Sequence, residues 1–519
     1  MKNLHRVTQR SHRVTQRFSF FIFLYRISKF TNKIRKNIQA SVFSTLIVMR
    51  DTIIYNNLCK NLGYTPTDDQ SVSLKKIATY ICENTNDVIF LLTGYAGTGK
   101  TSVISSVVKT LDLLRMRSVL LAPTGRAAKV LGSYSGRQAL TIHKKIYRQK
   151  SSKDGMGSFM LDKNKHKDTY FIVDEASMIS NISSETSLFG SGKLLDDLLE
   201  YVYSGTDCKL ILVGDSAQLP PVGSALSPAL DPKVLAEYGF GLITTELRQV
   251  VRQSESSGVL MNATRVRLQI AENDLGHPSI DCVNFHDVKR LTGEELIDEI
   301  SSAYGTCGLE GTIIVVNSNK QANRYNQGIR NRIFFREEEI STGDMVMVVK
   351  NNYFLVEEDE EGPGFIANGD IAEVKKISRY EEKYGFMFAE MTLWFPDYDF
   401  EVESKVLLDV LHLDTPSLPA EKNKELFKNV LDDYLDIRIR RKQYEAVRNN
   451  PYFNALQIKF AYAVTCHKAQ GGQWERVFID QGMFNRNEIS IDYLRWFYTA
   501  LTRATDRVYL VNFSEEWFM

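Results

Sequence analysis

Three short stretches hold residues whose types and spacing could do chemistry. GYAGTGKT (94–101) follows the apolar run VIFLLT and has the spacing of a phosphate-binding loop. Gly94, Gly97 and Gly99 let backbone N–H groups approach an anion, with Thr98 between them, and the helix expected to follow adds its positive end. Lys100 should reach the β- and γ-phosphates, and Thr101 should ligate Mg²⁺. YFIVDEASMI (170–179) ends a second apolar run in two acids. Asp174 suits a hydrated Mg²⁺, and Glu175 suits a water that must be oriented or deprotonated. These two stretches predict hydrolysis of ATP or GTP with Mg²⁺ as cofactor. The third stretch, GDSAQLPPVG (214–223), asks for more. A chain that only bound a nucleotide would not need Gln218 between an aspartate and a proline pair.

These stretches must be positioned by strands. VIFLLT (88–93), SVLLA (118–122), YFIVD (170–174) and LILVGD (210–215) are continuous apolar runs separated by helix-length pieces. That pattern predicts the parallel strands of an α/β sheet. Residues 147–168 interrupt it with a polar, basic stretch holding Gly155 and Gly157, which reads as an inserted hairpin. A second α/β region starts near TIIVVNSNK (312–320), resumes near FAYAVTCHKAQGG (460–472) and ends at VYLVNF (508–513). Between its halves, GDMVMVVKN (343–351) and IANGDIAEV (366–374) predict a small β-barrel carried as an insertion, with EEDEE (357–361) a solvated loop. Residues 420–449 are charged and helix-prone and read as a solvent-facing helix.

Composition excludes several classes. The chain has 519 residues, 43% of them hydrophobic and 24% charged, so it can bury several cores and is no disordered polymer. Its six cysteines are scattered, without a CxxC or a Cys/His cluster, which argues against a structural zinc or a disulfide scaffold and fits a reducing cytoplasm. Residues 1–50 contain eleven Lys/Arg and no acid, so the rest of a chain of net charge +1 is acidic. A polyanion would then need a local basic groove, since bulk charge does not attract it. FSFFIFLY (18–25) is too short to span a bilayer, and no membrane partner is expected. Residues 1–50 read as a basic leader outside the fold, with Met49 as the initiating residue.

DEASMI together with GDSAQLPPVG resembles the superfamily 1B helicases, the RecD-like, Pif1-like and Dda-like enzymes that move 5′→3′ on single-stranded DNA. The resemblance runs over about residues 62–519. It implies two RecA-like domains: 1A at 51–255, with a 1B pin insertion at about 131–168, and 2A at 256–339 with 456–519. An SH3-like domain 2B would occupy 340–455. TPTDDQ (65–70) resembles the Q motif, which implies that Gln70 binds the adenine edge and favours ATP. APTGRAAKVL (122–131) and TIHKKIY (141–147) resemble strand-contacting boxes, implying that Thr124, Arg126, Lys129, His143 and Lys144 hold DNA phosphates. Gln218 resembles the motif III glutamine, a γ-phosphate sensor on a loop that lies near DNA.

TELRQVVRQ (245–253) and YTALTRATDRVYLV (498–511) resemble motifs IV and VI. They imply that Arg252, rather than Arg248, and Arg503 converge on the γ-phosphate. AYAVTCHKAQGGQWERV (461–477) resembles motif V, with Thr465, His467 and Lys468 on the DNA backbone and Gly472 and Gln473 toward ATP. Gln473 stands where the family usually carries an acid. In the pin, Phe159 or Met156 could stack on the last base pair. The implied partners are single-stranded DNA and its junctions with duplex, bound by a monomer. A translocase or recombination-complex subunit that does not unwind remains open here, as does a P-loop assembly ATPase indifferent to DNA.

Overall fold

A computed structural model describes residues 50–83, 87–149, 159–182, 190–251, 257–352, 366–482 and 489–519. The leader apart from Arg50, the EEDEE loop, Arg252 and Met156 lie outside these residues. The first α/β lobe contains strands β1 (Val88–Gly94), β2 (Arg117–Ala122) and β3 (Ala139–Thr141), then the short hairpin β4 (Tyr147–Gln149) and β5 (Phe159–Leu161). It closes with β6 (Thr169–Val173), β7 (Lys209–Gly214) and β8 (Gly241–Leu247). Apart from the hairpin these strands form one parallel sheet in the order β3-β2-β6-β7-β1-β8. Its central strands are apolar along their length because helices cover both faces, which is why they read as continuous runs.

In the second lobe, β9 (Val288–Leu291) and β10 (Thr312–Val316) precede the barrel strands β11 (Met345–Val348), β12 (Ile371–Lys383), β13 (Phe386–Phe395), β14 (Phe400–Leu407) and β15 (Leu456–Phe460). The chain then returns through β16 (Ala463–Thr465), β17 (Trp474–Asp480) and β18 (Ala504–Val511) to complete a parallel sheet ordered β16-β10-β17-β18-β9. The architecture is two RecA-like P-loop domains with an inserted hairpin and an inserted closed five-stranded barrel. β15 closes the barrel against β11 and β14, and only two residues separate it from β16 of the second sheet. Barrel and second sheet accordingly share one continuous apolar core.

The 420–449 segment differs from the expected single solvent-facing helix. It forms two helices, Ala420–Leu431 and Arg440–Arg448, joined by a 3₁₀ turn and a short loop. Leu426, Val430 and Val447 pack on Phe386 and Phe388 of the barrel, and the charged residues take the outer faces. A narrow apolar stripe among many charges hides this face from a composition-based reading.

The junction of barrel and second lobe is polar at one buried point. The Asp344 carboxylate is fully buried and accepts from Arg330 Nε at 3.2 Å, Tyr462 Oη at 2.8 Å and the Ser341 N–H at 2.7 Å, and pairs with Arg336. Arg330, itself 1% exposed, belongs to the second lobe's helix Asn319–Arg332. Removing one partner of such a pair leaves an uncompensated buried charge. Asp344→Ala should lower unfolding free energy by about 3–5 kcal/mol. Chemical denaturation followed by tryptophan fluorescence checks this, and a loss below about 1 kcal/mol would show that the pair is solvated.

Candidate functional site

Parallel strands deliver their loops to one edge, at the strands' carboxyl ends. The P-loop leaves β1 there and feeds the helix Lys100–Leu113. Gly97 (φ 74°) and Gly99 (φ 82°) take left-handed backbone, and a side chain on Gly99 would also collide with Gln70 Nε2. Lys100 Nζ donates to Gly94 O at 2.7 Å and Tyr95 O at 3.0 Å, and lies 3.8 Å from Asp215. Thr98 is buried and its hydroxyl donates to Tyr95 O at 2.7 Å. Thr101 is the second residue of that helix, directly after Lys100. Gln70 is buried beside the loop, where its Nε2 donates to Thr98 O at 3.0 Å and to Tyr64 Oη at 3.2 Å, while Oε1 caps its own helix by accepting from Thr67 N–H. The glutamine therefore braces the P-loop directly.

Asp174 and Glu175 follow β6 on the same edge. Burial, and then the neighbouring Glu175 charge, push the Asp174 carboxyl up to about 7. Glu175 sits at φ 52°, in the left-handed backbone region that side-chain-bearing residues uncommonly adopt. Two adjoining carboxylates, with the Glu175 charge raising the proton affinity of Asp174, fit a divalent cation. Gln218 is 6% exposed, and its Oε1 has no hydrogen-bond partner among the described residues. A buried carbonyl oxygen without a donor at this edge fits a γ-phosphate-side ligand network, including its attacking water. The donor set therefore suits a magnesium nucleoside triphosphate.

The residues after Gln218 are tied to the second lobe. Leu219 N–H donates to Thr499 Oγ1 at 2.9 Å, and Gln470 Nε2 donates to Leu219 O at 2.7 Å. Tyr498, which the motif reading passes over, is fully buried. Its Oη accepts from the Ala96 N–H of the P-loop at 2.8 Å and donates to Asp215 Oδ2 at 2.7 Å. Arg267, also passed over, lays its guanidinium 4.2 Å from the Tyr95 ring centre. An apolar-looking helix (Ile491–Leu501) and an isolated arginine in Gly258–Glu272 carry no spacing signal, so only the fold shows them at the P-loop.

A cleft of about 670 Å³ opens between the lobes and brings together Thr124, Arg126, Thr465, His467 and Lys468. Trp474 lines it too, with the Arg126 guanidinium 4.2 Å from its ring centre. Burial, reinforced by the charge of Lys459, lowers the Lys468 ammonium to about 8, and Lys468 hydrogen-bonds Asn368 of the barrel. Thr124 also caps its helix, accepting from Ala127 N–H.

Several predicted residues lie elsewhere. Lys129 reaches the barrel, donating to Pro396 O at 2.8 Å with Asp397 at 3.4 Å. It shares a separate 430 Å³ cavity with Lys144, Arg137 and Tyr398. His143 packs its ring 5.6 Å from Tyr147, and burial holds its imidazole down to about 4, so it is neutral and offers no cation to a phosphate. Gly472 and Gln473 face Trp474, Arg126 and Tyr134 rather than the P-loop: the Gln473 side chain accepts from Tyr134 Oη at 3.2 Å, and its carbonyl from Arg126. Arg503 is 3% exposed and turns into the second lobe, donating to Gly472 O at 3.1 Å and Thr499 O at 3.0 Å, where it braces the motif V turn. Arg248 points to solvent and pairs with Glu246 at 2.7 Å. Phe159 pairs with Gln149 at the end of the ladder farthest from Tyr147–Leu161, and its ring is buried in the first lobe's core.

Fold and site define a tandem RecA-like architecture with a P-loop nucleotide site. Residues 69–276 match the AAA domain family, and 460–511 match the UvrD-like helicase C-terminal domain. The chain is 22% identical over 510 residues to an uncharacterised protein of Acanthamoeba polyphaga mimivirus, covering 85% of this chain and 98% of that one. It is 26% identical over 446 residues to the ATP-dependent RecD2 DNA helicase of Deinococcus radiodurans, covering 83% of this chain and 47% of that one. To the ATP-dependent DNA helicase dda of Enterobacteria phage T4 it is 24% identical over 263 residues, covering 50% and 55%. The chain thus spans about half the length of either named helicase. Its sequence is similar to RecD2- and Dda-type helicases, and its terminal segment to the C-terminal domain of UvrD-like helicases.

Lys468 carries its charge below about pH 8 and loses it above, so the cleft becomes less positive as pH rises through that value. A ¹⁵N NMR titration, assigned with Lys468→Arg, should place its midpoint near pH 8, well below the ~10.4 of a free lysine. A midpoint above about 10 would show that the ammonium is hydrated.

Proposed function

We propose that this protein is an ATP-dependent DNA helicase that translocates 5′→3′ on single-stranded DNA and parts the duplex ahead of it. The observation that carries the reading is the inter-lobe cleft. Residues of both sheets, Thr124 and Arg126 from one and Thr465, His467 and Lys468 from the other, line one channel with an aromatic floor at Trp474. Cations and hydroxyls suit a phosphodiester backbone, and Trp474 with Arg126 offers a sequence-tolerant surface near the bases.

At the P-loop, Lys100 and the amides of Gly97–Thr101 hold the phosphates, and Glu175 orients or deprotonates the attacking water. Thr101 and Asp174 would hold Mg²⁺, which screens phosphate charge when bound. Gln218 senses the γ-phosphate side. Gln70 sets the adenine-side wall of the loop through Thr98 and Tyr64. Arg252 follows Val251, whose N–H bonds to Gly97 O at 3.0 Å, and is the arginine assigned to the γ-phosphate. Closure of the lobes on ATP and opening after hydrolysis would move the strand through the cleft. The enzyme acts as a monomer at junctions of single and double strands, and its six free thiols suit a reducing compartment such as the cytoplasm.

Steady-state ATP hydrolysis with and without single-stranded DNA tests this reading. Stimulation of roughly tenfold or more is expected, with Lys100→Ala lowering the stimulated rate by about 100-fold or more. A Lys100-dependent rate indifferent to DNA and RNA would replace the helicase with an assembly ATPase. Stimulation without strand separation on a forked duplex would leave a translocase.

A further inference from the structure

The contacts that join the lobes beside the P-loop converge on two consecutive residues of one helix. Tyr498 and Thr499 lie in Ile491–Leu501, which packs under the second sheet. Through one hydroxyl, Tyr498 accepts from the Ala96 N–H of the P-loop at 2.8 Å and donates to Asp215 at 2.7 Å. Asp215 is 1% exposed and stands 3.8 Å from the Lys100 ammonium. It also accepts from Ala217 N–H at 2.9 Å, so its carboxylate fixes the loop that carries Gln218. One residue beyond Gln218, the Leu219 N–H donates to Thr499 Oγ1 at 2.9 Å. The Leu219 carbonyl is held by Gln470, two residues from Lys468 in the strand cleft.

We infer that the Tyr498–Thr499 pair is the joint through which the P-loop and the Gln218 loop govern the strand cleft, with Tyr498 acting as a positioning residue. This inference rests on the helicase reading above. A phenol is suited to the post: burial and the Asp215 charge keep it protonated, so it can accept from an amide while donating to a carboxylate. The two contacts are short, buried and directional. A shift of Ala96 or Asp215 that accompanies phosphate contact must therefore move the helix or break a bond. Because Thr499 grips the same loop on the far side of Gln218, the loop between Asp215 and Leu219 cannot swing independently of that helix. Arg503, four residues on, extends the link by holding Gly472 O in the turn after Gln470.

Tyr498→Phe in the full chain keeps the ring and removes the bridge. Stimulation of ATP hydrolysis by single-stranded oligothymidylate should fall about tenfold, as expected for loss of a hydrogen bond to a charged group, while KM for ATP moves less than about threefold. Thr499→Val, which leaves the phenol in place, should lower stimulation in the same direction by about threefold or more. Stimulation retained within about twofold in both variants would make the pair mere packing and overturn the inference. So would a fall in stimulation matched by an equal rise in KM and a lowered melting temperature, the pattern of a damaged fold. If Tyr498→Phe does not fold, Thr499→Val alone decides. A parent protein that single strands do not stimulate would overturn the helicase reading itself, an outcome distinct from a stimulated parent with unaffected variants.

Discussion

A buried polar group must be paired, and the loop from Asp215 to Leu219 meets that requirement by reaching across two lobes. Asp215, Leu219 N–H and Leu219 O all find partners outside their own sheet, at Tyr498, Thr499 and Gln470. Such bonds have few alternative geometries, since water is excluded from both ends. The loop is consequently held by both lobes at once, and the relative position of the lobes becomes part of the nucleotide site. The strand cleft inherits the same constraint, because its Thr465, His467 and Lys468 continue directly into Gln470.

Much of this was legible from residue order. The continuous apolar runs 88–93, 170–174 and 210–215 became parallel strands whose carboxyl ends carry the P-loop, the acid pair and Gln218. The barrel insertion was legible from its short strands and turn glycines. What escaped was side-chain direction. Arg503 and Gln473 lie in the expected motifs, yet the backbone turns them toward Gly472 and Tyr134 and away from the P-loop. Phe159 reads as a free aromatic in a polar insertion, but it packs into the first lobe's core. Tyr498 shows the converse, because a tyrosine within an apolar helix has no spacing that distinguishes a core residue from a bridge between domains.

The cleft also illustrates how burial tunes charge. Arg126 keeps a cation against Trp474 because guanidinium is weakly hydrated and stacks on an indole face at little cost. Lys468 is a compact, strongly hydrated ammonium, and the same cleft brings its proton affinity close to neutrality. Two cations a few residues from the lobe boundary thus differ in kind, one a permanent charge and the other a conditional one.

The barrel's attachment has a consequence for how the molecule comes apart. It shares a continuous apolar core with the second sheet, whereas it meets the first lobe through polar contacts such as Lys129 with Asp397 and the Tyr398 hydroxyl beside Gly125. The first sheet has its own two cores, on opposite faces. Heat or denaturant therefore meets two cooperative units of unequal make-up: the P-loop lobe alone, and the second sheet fused with its barrel. The barrel accordingly comes apart with the second lobe. Its outer face is extended by the helices of residues 420–448, which unfold with it.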